Sequence, residues 1–328
     1  MYKMHENDLI SIIVPSFNRE HTILRTLNSV IKQTYTNIEI IVVDDCSTDN
    51  TVPLIKSIMK NEPRLQLLIN LENKGANFTR NRGVKHAKGK YISFLDSDDE
   101  WYLETIEILW NKIKNTSKKV GLVYPGLIFI TNKYQRKIYP KFRGNVFRDL
   151  MTKGTIGSYP LIKYEVFTKA GLFDESEELR KGGNQEYELW IRISQYYEFE
   201  CVNKILLKHY FQSDSITFKS TIKRPISKIK SFLYIWNKYK QHISKDIDAY
   251  VFYCYKIFEL LKERHQKKLA KKIIFMSLKT DIFKLRTYFH LIFYLHNFYS
   301  PVNILSRVYE LASQLKEWFE GFKFHFSQ

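Results

Sequence analysis

The sequence has little cysteine and no long apolar run, and both absences narrow the class of protein. Only three cysteines occur in 328 residues, and they are far apart and without metal-binding spacing. The N-terminal residues lack the pattern of a signal peptide. No stretch reaches the roughly 18 apolar residues that a membrane-spanning helix needs. We therefore expect a cytoplasmic protein that can lie on the inner face of a membrane without crossing it.

Glycine-rich phosphate loops are absent as well. The sequence contains no GxxxxGK[ST] or GxGxxG motif, no GxSxG nucleophile motif and no CxxC pair. A phosphate ligand would therefore be held by side chains and a metal ion, not by a glycine cradle.

Positive charge is plentiful and unevenly distributed. The net charge is +18, and residues 219–328 hold 21 lysines and arginines against 8 acidic residues. This region is also rich in aromatic residues and shows helical periodicity, which is typical of helices that bind an anionic membrane surface. A helical subdomain with solvated lysines is the alternative. We place a domain boundary near Phe218, which separates residues 1–218 from this basic α-helical region.

The first hundred residues alternate between buried strands and amphipathic helices. The apolar runs predict strands over 10–17, 38–43, 65–69 and 91–95, with one helix in each interval. Strands joined by single helices predict an α/β fold with a doubly wound, mostly parallel sheet. Ligands bind such sheets at the carboxyl ends of the strands, and each predicted strand is followed there by a polar cluster.

The most informative cluster is Asp96-Ser97-Asp98-Asp99, after the fourth strand. Asp98 or Asp99 could simply cap a helix that begins near Trp101. However, three acids in four positions exceed what one cap needs, and they repel one another without a cation. Carboxylates are ligands for Mg²⁺ or Mn²⁺. We therefore predict a metal site here.

Two further clusters supply candidates for ligand contacts. Asp45 follows the second strand and is expected to be free to accept a ligand hydrogen bond, whereas Asp44 is a buried carboxylate or a second ligand contact. Gly75 permits a tight turn, and Arg80 offers positive charge to a phosphate or sugar. For Arg82 a solvated position is equally plausible.

A later helix, from about Gln185, carries two acids on different predicted faces. The apolar stripe of this helix extends backward onto Glu186, which makes Glu186 a candidate general base on an inward face. Glu188 is expected to form a solvated surface pair with Arg192, four residues on.

In their order along the chain, these motifs resemble the family 2 inverting glycosyltransferases of GT-A fold, many of them bacterial. The resemblance covers about residues 8–218 and rests on five segments: Val14–Arg19, Val42–Asp49, Asn73–Gly83, Phe94–Asp99 and Gly171–Glu175. It implies that residues 1–218 are a GT-A catalytic domain, followed by a C-terminal helical extension.

The resemblance also implies roles for individual residues. Asp45 would contact the nucleotide base near Phe17, Asp98 would hold Mn²⁺ or Mg²⁺ with support from Asp96, and Glu186 would be the catalytic base. The implied contacts to the nucleotide sugar are Ser16, Phe17, Asp45, Asn73, Gly75, Arg80, Asp96 and Ser97. The family's preceding acid is replaced by Gln185, and Gln212 stands where relatives often have histidine, so His209 receives no role.

The expected reaction is transfer of a sugar from a nucleotide-diphosphate donor, such as a UDP-sugar, to a glycan or lipid-linked acceptor in surface polysaccharide synthesis. A sugar-phosphate nucleotidyltransferase is the main alternative, but it usually carries a glycine-rich loop after the first strand. A nucleic-acid-binding protein is less consistent with the acidic strand ends, and no nucleic acid is expected as a partner.

Overall fold

A computed structural model describes residues 8–157, 159–211, 225–246, 248–250, 252–253 and 256. They all belong to one compact unit, Met1–His265. The predicted boundary near Phe218 and most of the basic tail lie outside the described residues, and both stay predictions. No helix in the described ranges is long and apolar enough to cross a membrane.

The N-terminal half is the predicted parallel sheet. Its four strands lie in the order β3-β2-β1-β4, and all three pairings are parallel. The elements of this half are β1 (Ile10–Ser16), α1 (Ile23–Ile31), β2 (Ile38–Asp44), α2 (Thr51–Met59), β3 (Leu65–Ile69), α3 (Ala76–His86) and β4 (Tyr91–Phe94). Each strand lies within a residue of its predicted range. Every residue of β1 and β2 is buried, as expected for central strands covered on both faces.

The second half extends the same sheet with strands of mixed direction. The order continues β4-β8-β6-β9-β5, with β7 beside β6, and only β6 and β9 pair in parallel. The elements are β5 (Glu100–Trp101), α4 (Thr105–Ile113), β6 (Val120–Ile130), β7 (Gln135–Ile138), α5 (Phe147–Lys153), β8 (Leu161–Lys163), α6 (Tyr164–Ala170), α7 (Glu177–Gly182), α8 (Gln185–Ser194) and β9 (Glu198–Tyr210). Two helices follow, α9 (Pro225–Lys238) and α10 (Lys240–Lys245).

One predicted boundary is wrong. The helix expected from near Trp101 begins at Thr105, because Glu100 and Trp101 form the short strand β5 and pair with β9. The apolar residue Trp101 is 2% exposed and belongs to the main core, so its hydrophobicity reflects a strand rather than the first turn of a helix.

Candidate active site

The loops after β1 and β2 are hydrogen-bonded to each other at the sheet edge. The Asn18 amide donates to Ser47 Oγ at 2.8 Å, and the Thr48 amide donates to Asn18 Oδ1 at 2.9 Å. Asn18 has a φ of 51°, which asparagine tolerates better than most residues. This arrangement leaves Phe17 41% exposed at the edge, whereas Ser16 is buried, with no hydrogen-bond partner for its Oγ among the described residues.

Asp44 is a structural carboxylate. It is fully buried and accepts hydrogen bonds from the amide and hydroxyl of Ser47, at 2.8 and 2.6 Å. Burial raises the pKa of Asp44, although both hydrogen bonds oppose the rise. Of the two interpretations of this residue, the satisfied buried acid is therefore confirmed.

The prediction that Asp45 is free to accept a hydrogen bond from a ligand is wrong. Its carboxylate accepts hydrogen bonds from Asn70 Nδ2 at 2.7 Å, from the Lys74 amide at 2.9 Å and from the Gly75 amide at 2.7 Å. The side chain thereby holds the loop between β3 and α3 against the end of β2. A contact between Asp45 and a nucleotide base stays a prediction.

That loop brings two further predicted residues to the sheet edge. Gly75 adopts a φ of 88°, and a Cβ there would lie 2.8 Å from the aliphatic carbons of Arg180, so the turn requires glycine. Asn73 is exposed beside it. Arg82 donates to the Ile69 carbonyl and to Asn70 Oδ1, so it stabilises the end of β3.

Arg80 joins the acidic strand end to the candidate base. Its side chain is 5% exposed, and its guanidinium contacts Asp96 Oδ1 at 2.7 Å and Glu186 Oε1 at 3.1 Å. Both carboxylates raise the pKa of Arg80 against its burial. Burial would raise the pKa of Asp96, but the charge of Arg80 and a hydrogen bond with Tyr159 lower it overall, so Asp96 is ionised. Two carboxylates from distant parts of the chain thus share one buried cation.

Asp98 lies in a strongly negative environment. Its side chain is 13% exposed, and Arg19 Nε lies 3.5 Å from Oδ2. Burial and the charges of Asp96 and Asp99 raise the pKa of Asp98 to about 7, with Arg19 and His209 acting in the opposite direction. The backbone here is held from α1, since Thr22 donates to the carbonyl of Ser97. Ser97 itself is 5% exposed.

Asp99 does not cap a helix. Its fully buried carboxylate accepts hydrogen bonds from His209 Nδ1 at 2.8 Å and from the Tyr210 amide at 3.1 Å. Burial raises the pKa of Asp99 against these contacts. Burial would lower the pKa of His209, but the hydrogen bond with Asp99 and the neighbouring carboxylates raise it to about 9, so this imidazole is protonated at neutral pH. The pair of Asp99 and His209 connects the segment Asp96–Asp99, which we call the acidic turn, to β9.

Of the two acids of α8, only Glu188 differs from its predicted position. Glu186 is half-buried, with its side chain 34% exposed next to Arg80. Glu188 is fully buried, so the predicted solvated pair with Arg192 is wrong. Arg192 does bind Glu188 at 2.7 Å, but Lys238 and Tyr239 contact the same carboxylate at 2.8 and 3.1 Å.

The residues that follow β9 explain this burial. Lys238 at the end of α9 also binds Asp174 Oδ2 at 2.6 Å, and Tyr234 donates to the same oxygen at 2.7 Å. Asp174 and Glu188 therefore attach α9 to the second half of the sheet domain. The described N-terminal part of the basic region packs on this domain, which its lysine-rich composition alone did not indicate.

Three residues of the site had not been singled out as functional: Tyr159, His209 and Asn81. Tyr159 and His209 act on the acidic turn, while Asn81 on α3 exchanges hydrogen bonds with the backbone of Phe173 at 2.8 and 2.9 Å. Of the three, only Asn81 lies in a segment that carries the family resemblance, Asn73–Gly83.

Comparison with known proteins identifies the class and then the family. The fold resembles that of Staphylococcus aureus TarS residues 1–349 in complex with UDP-GlcNAc, with a TM-score of 0.56 and 16% identity over 83% of this chain and 88% of that one. Residues 11–171 match the family described as glycosyl transferase family 2. Residues 11–171 therefore belong to a family 2 glycosyltransferase domain, and the fold is of the GT-A type.

Two curated relatives illustrate the range of similarity. The Escherichia coli protein WfgD, a UDP-Glc:alpha-D-GlcNAc-diphosphoundecaprenol beta-1,3-glucosyltransferase, is 48% identical over 100 residues, which are 30% of this chain and 39% of WfgD. An uncharacterised glycosyltransferase of Rickettsia conorii is 29% identical over 308 residues, which are 88% of this chain and 47% of the relative. The chain thus spans less than half the length of both relatives.

Proposed function

We propose that this chain transfers a sugar from a nucleoside-diphosphate donor, most simply a UDP-sugar, to a hydroxyl of a glycan or lipid-linked acceptor in surface polysaccharide synthesis. The observation that supports this best is the Arg80 bridge between Asp96 and Glu186. This bridge supports the proposal because it joins the carboxylate that would accept a proton to the strand end that would contact the diphosphate. A nucleotidyltransferase needs the metal acids but has no evident use for Glu186.

The donor side is the sheet edge at the ends of β1, β2 and β4. The exposed ring of Phe17 can stack on a base. The buried hydroxyl of Ser16, which has no hydrogen-bond partner among the described residues, is the neighbouring polar group that can bond to the nucleoside. Asn73 and Gly75 line the same edge through the loop held by Asp45.

The acidic turn fits a divalent cation. In the described part of the chain, no group of three or more His, Cys, Asp or Glu side chains forms a complete metal site. Mg²⁺, however, is commonly bound by one or two carboxylates together with substrate phosphates. Asp98, supported by Asp96, would hold Mg²⁺ or Mn²⁺, which would offset the negative charge of the leaving diphosphate.

Glu186 acts on the acceptor side. Its carboxylate takes the proton of the acceptor hydroxyl while that oxygen bonds to the anomeric carbon. The bond between this carbon and the diphosphate oxygen breaks, and its electron pair leaves with the nucleoside diphosphate. The single displacement inverts the anomeric centre. Arg80 orients Glu186 throughout, because its guanidinium is buried and shared with Asp96.

The test is a screen of nucleotide sugars for diphosphate release and transfer, with and without Mg²⁺ or Mn²⁺. Glu186→Gln and Asp98→Ala should each lower transfer by about 100-fold or more, as loss of a general base or of charge stabilisation does. Glu177→Gln removes an acid of α7 that pairs with Lys181 and should leave transfer unchanged. Turnover near that of the wild type in either site variant would contradict the corresponding role, and transfer unaffected by chelation would contradict the metal.

A peripheral position on the cytoplasmic membrane face suits a lipid-linked acceptor. The support is the excess of basic and aromatic residues in 219–328. The full chain should co-sediment with vesicles that contain anionic lipid, and less so as salt is raised. Equal binding to neutral vesicles would contradict this position.

A further inference from the structure

Helix α9 carries a half-buried lysine, Lys228, in its first turn. Lys228 lies three, four and seven residues before Ser231, Phe232 and Ile235, and therefore on the same face of the helix, which Tyr239 continues directly after its end. Ser231, Phe232, Ile235 and Tyr239 are buried. A solvated lysine would be expected on the opposite face, where Lys230 is exposed. The position of Lys228 therefore calls for an explanation other than solubility.

The start of α9 is held close to Glu186. A Cβ at Gly182 would overlap the carbonyl oxygen of Ser227, so α7 and α9 are in backbone contact there. Asn184, immediately before α8, donates to Ser231 Oγ at 2.8 Å. These contacts bring the first turn of α9 to the N-terminal end of α8, where Glu186 lies.

The charge of Lys228 is within electrostatic range of the Glu186 carboxylate. Burial lowers the pKa of Lys228 to about 8, with the Lys256 ammonium acting in the same direction and Glu186 opposing it. Lys228 is therefore largely protonated at neutral pH. Among the described residues, no carboxylate lies within 4.0 Å of its ammonium, whereas Glu186 is already paired with Arg80. Lys228 is thus a cation beside Glu186 that has no carboxylate partner of its own in the described part of the chain.

We propose that Lys228 is an acceptor-binding residue, and that it holds a phosphate group of an acceptor whose hydroxyl is presented to Glu186. This inference rests on the proposed function, because Glu186 marks the acceptor side. An ammonium on a flexible stem can reach a phosphate about one sugar away from the reacting hydroxyl, and the surrounding protein strengthens the interaction by excluding water. The acceptor class is therefore a phosphate-linked sugar, and α9 takes part in substrate choice.

The test measures binding, independently of turnover. The full chain is saturated with UDP and Mg²⁺, so that the donor site is filled, and octyl diphosphate is titrated by calorimetry. Lys228→Gln should weaken binding of this probe about tenfold, as loss of one charge-assisted hydrogen bond does. Lys228→Arg should restore most of the affinity, and Lys230→Gln, on the exposed face of the same helix, should have no effect. Neutral octyl glucoside should not distinguish the four proteins.

The outcomes separate the two proposals. If octyl diphosphate fails to bind the UDP-saturated wild type, or binds Lys228→Gln equally well, the assignment of Lys228 is wrong. Displacement of UDP by the probe would place the phosphate in the donor site and would also overturn the assignment. Failure of the wild type to bind UDP would instead refute the proposed function. Unchanged UDP affinity in Lys228→Gln shows that the variant is folded, and Lys228→Arg provides the charge-conserving check.

Discussion

The buried guanidinium of Arg80 can be removed while most of its apolar stem is kept, by an Arg80→Met substitution. Asp96 and Glu186 would then face each other without a shared cation, and both would remain partly buried. Breaking a buried ion pair costs about 3–5 kcal/mol of unfolding free energy. Because each carboxylate retains about a third of its exposure, we expect the lower end, roughly 3 kcal/mol.

The measurement is urea unfolding at pH 7, followed by circular dichroism, together with a transfer assay. Arg64→Met is the matched control. Arg64 pairs with Glu62 at 2.8 Å directly before β3, at the end of that strand opposite the site. Such a partly exposed pair contributes about 1 kcal/mol or less. Arg80→Lys keeps the charge, but one ammonium spans two carboxylates less well than a guanidinium. It should therefore recover stability better than transfer. The reasoning is refuted if Arg80→Met costs no more stability than Arg64→Met while transfer persists.

Three further predictions concern stability. Asp174→Asn weakens the attachment of α9 through Lys238 and should cost about 1–2 kcal/mol of unfolding free energy. Because the folded-state pKa of Asp174 is lowered, this stabilisation is present above the unfolded-state pKa and is lost on acidification. The urea midpoints of the two proteins should therefore converge toward low pH. His209→Gln removes a group whose pKa is raised from 6.5 to about 9. The unfolding free energy of the wild type should therefore fall between these pH values, whereas that of the variant should change less. An equal fall in both proteins would contradict the pairing of His209 with Asp99. Gly75→Ala places a side chain at a residue with a φ of 88° and should lower the unfolding free energy by about 1–3 kcal/mol, measured by thermal unfolding. It should also weaken donor binding. A donor affinity equal to that of the wild type would show that the loop between β3 and α3 does not contact the donor.

The parallel half of the fold and the edge that carries the site could be predicted from local sequence patterns. Continuous apolar runs and helical stripes are local patterns, and β1 to β4 with their helices follow from them directly. The acidic cluster could also be located, because a carboxylate after a buried strand must lie at the strand's end. The first turn of α4 was misjudged, because a two-residue strand such as β5 is defined by its partner β9 and not by any periodicity.

Which side chains come into contact depends on long-range packing and could not be predicted from the sequence. Asp99 and His209 are 110 residues apart, and nothing in their local spacing indicates the hydrogen bond between them. The periodicity of α8 indicated one buried face, but Glu188 lies under a second layer, α9 and Lys238, that comes from the basic region. Arg80 could be recognised as a cation near the site, whereas its sharing between Asp96 and Glu186 depends on how α3 and α8 pack. Local periodicity indicates one buried face of a helix or strand. Long-range packing determines which charged side chains come into contact.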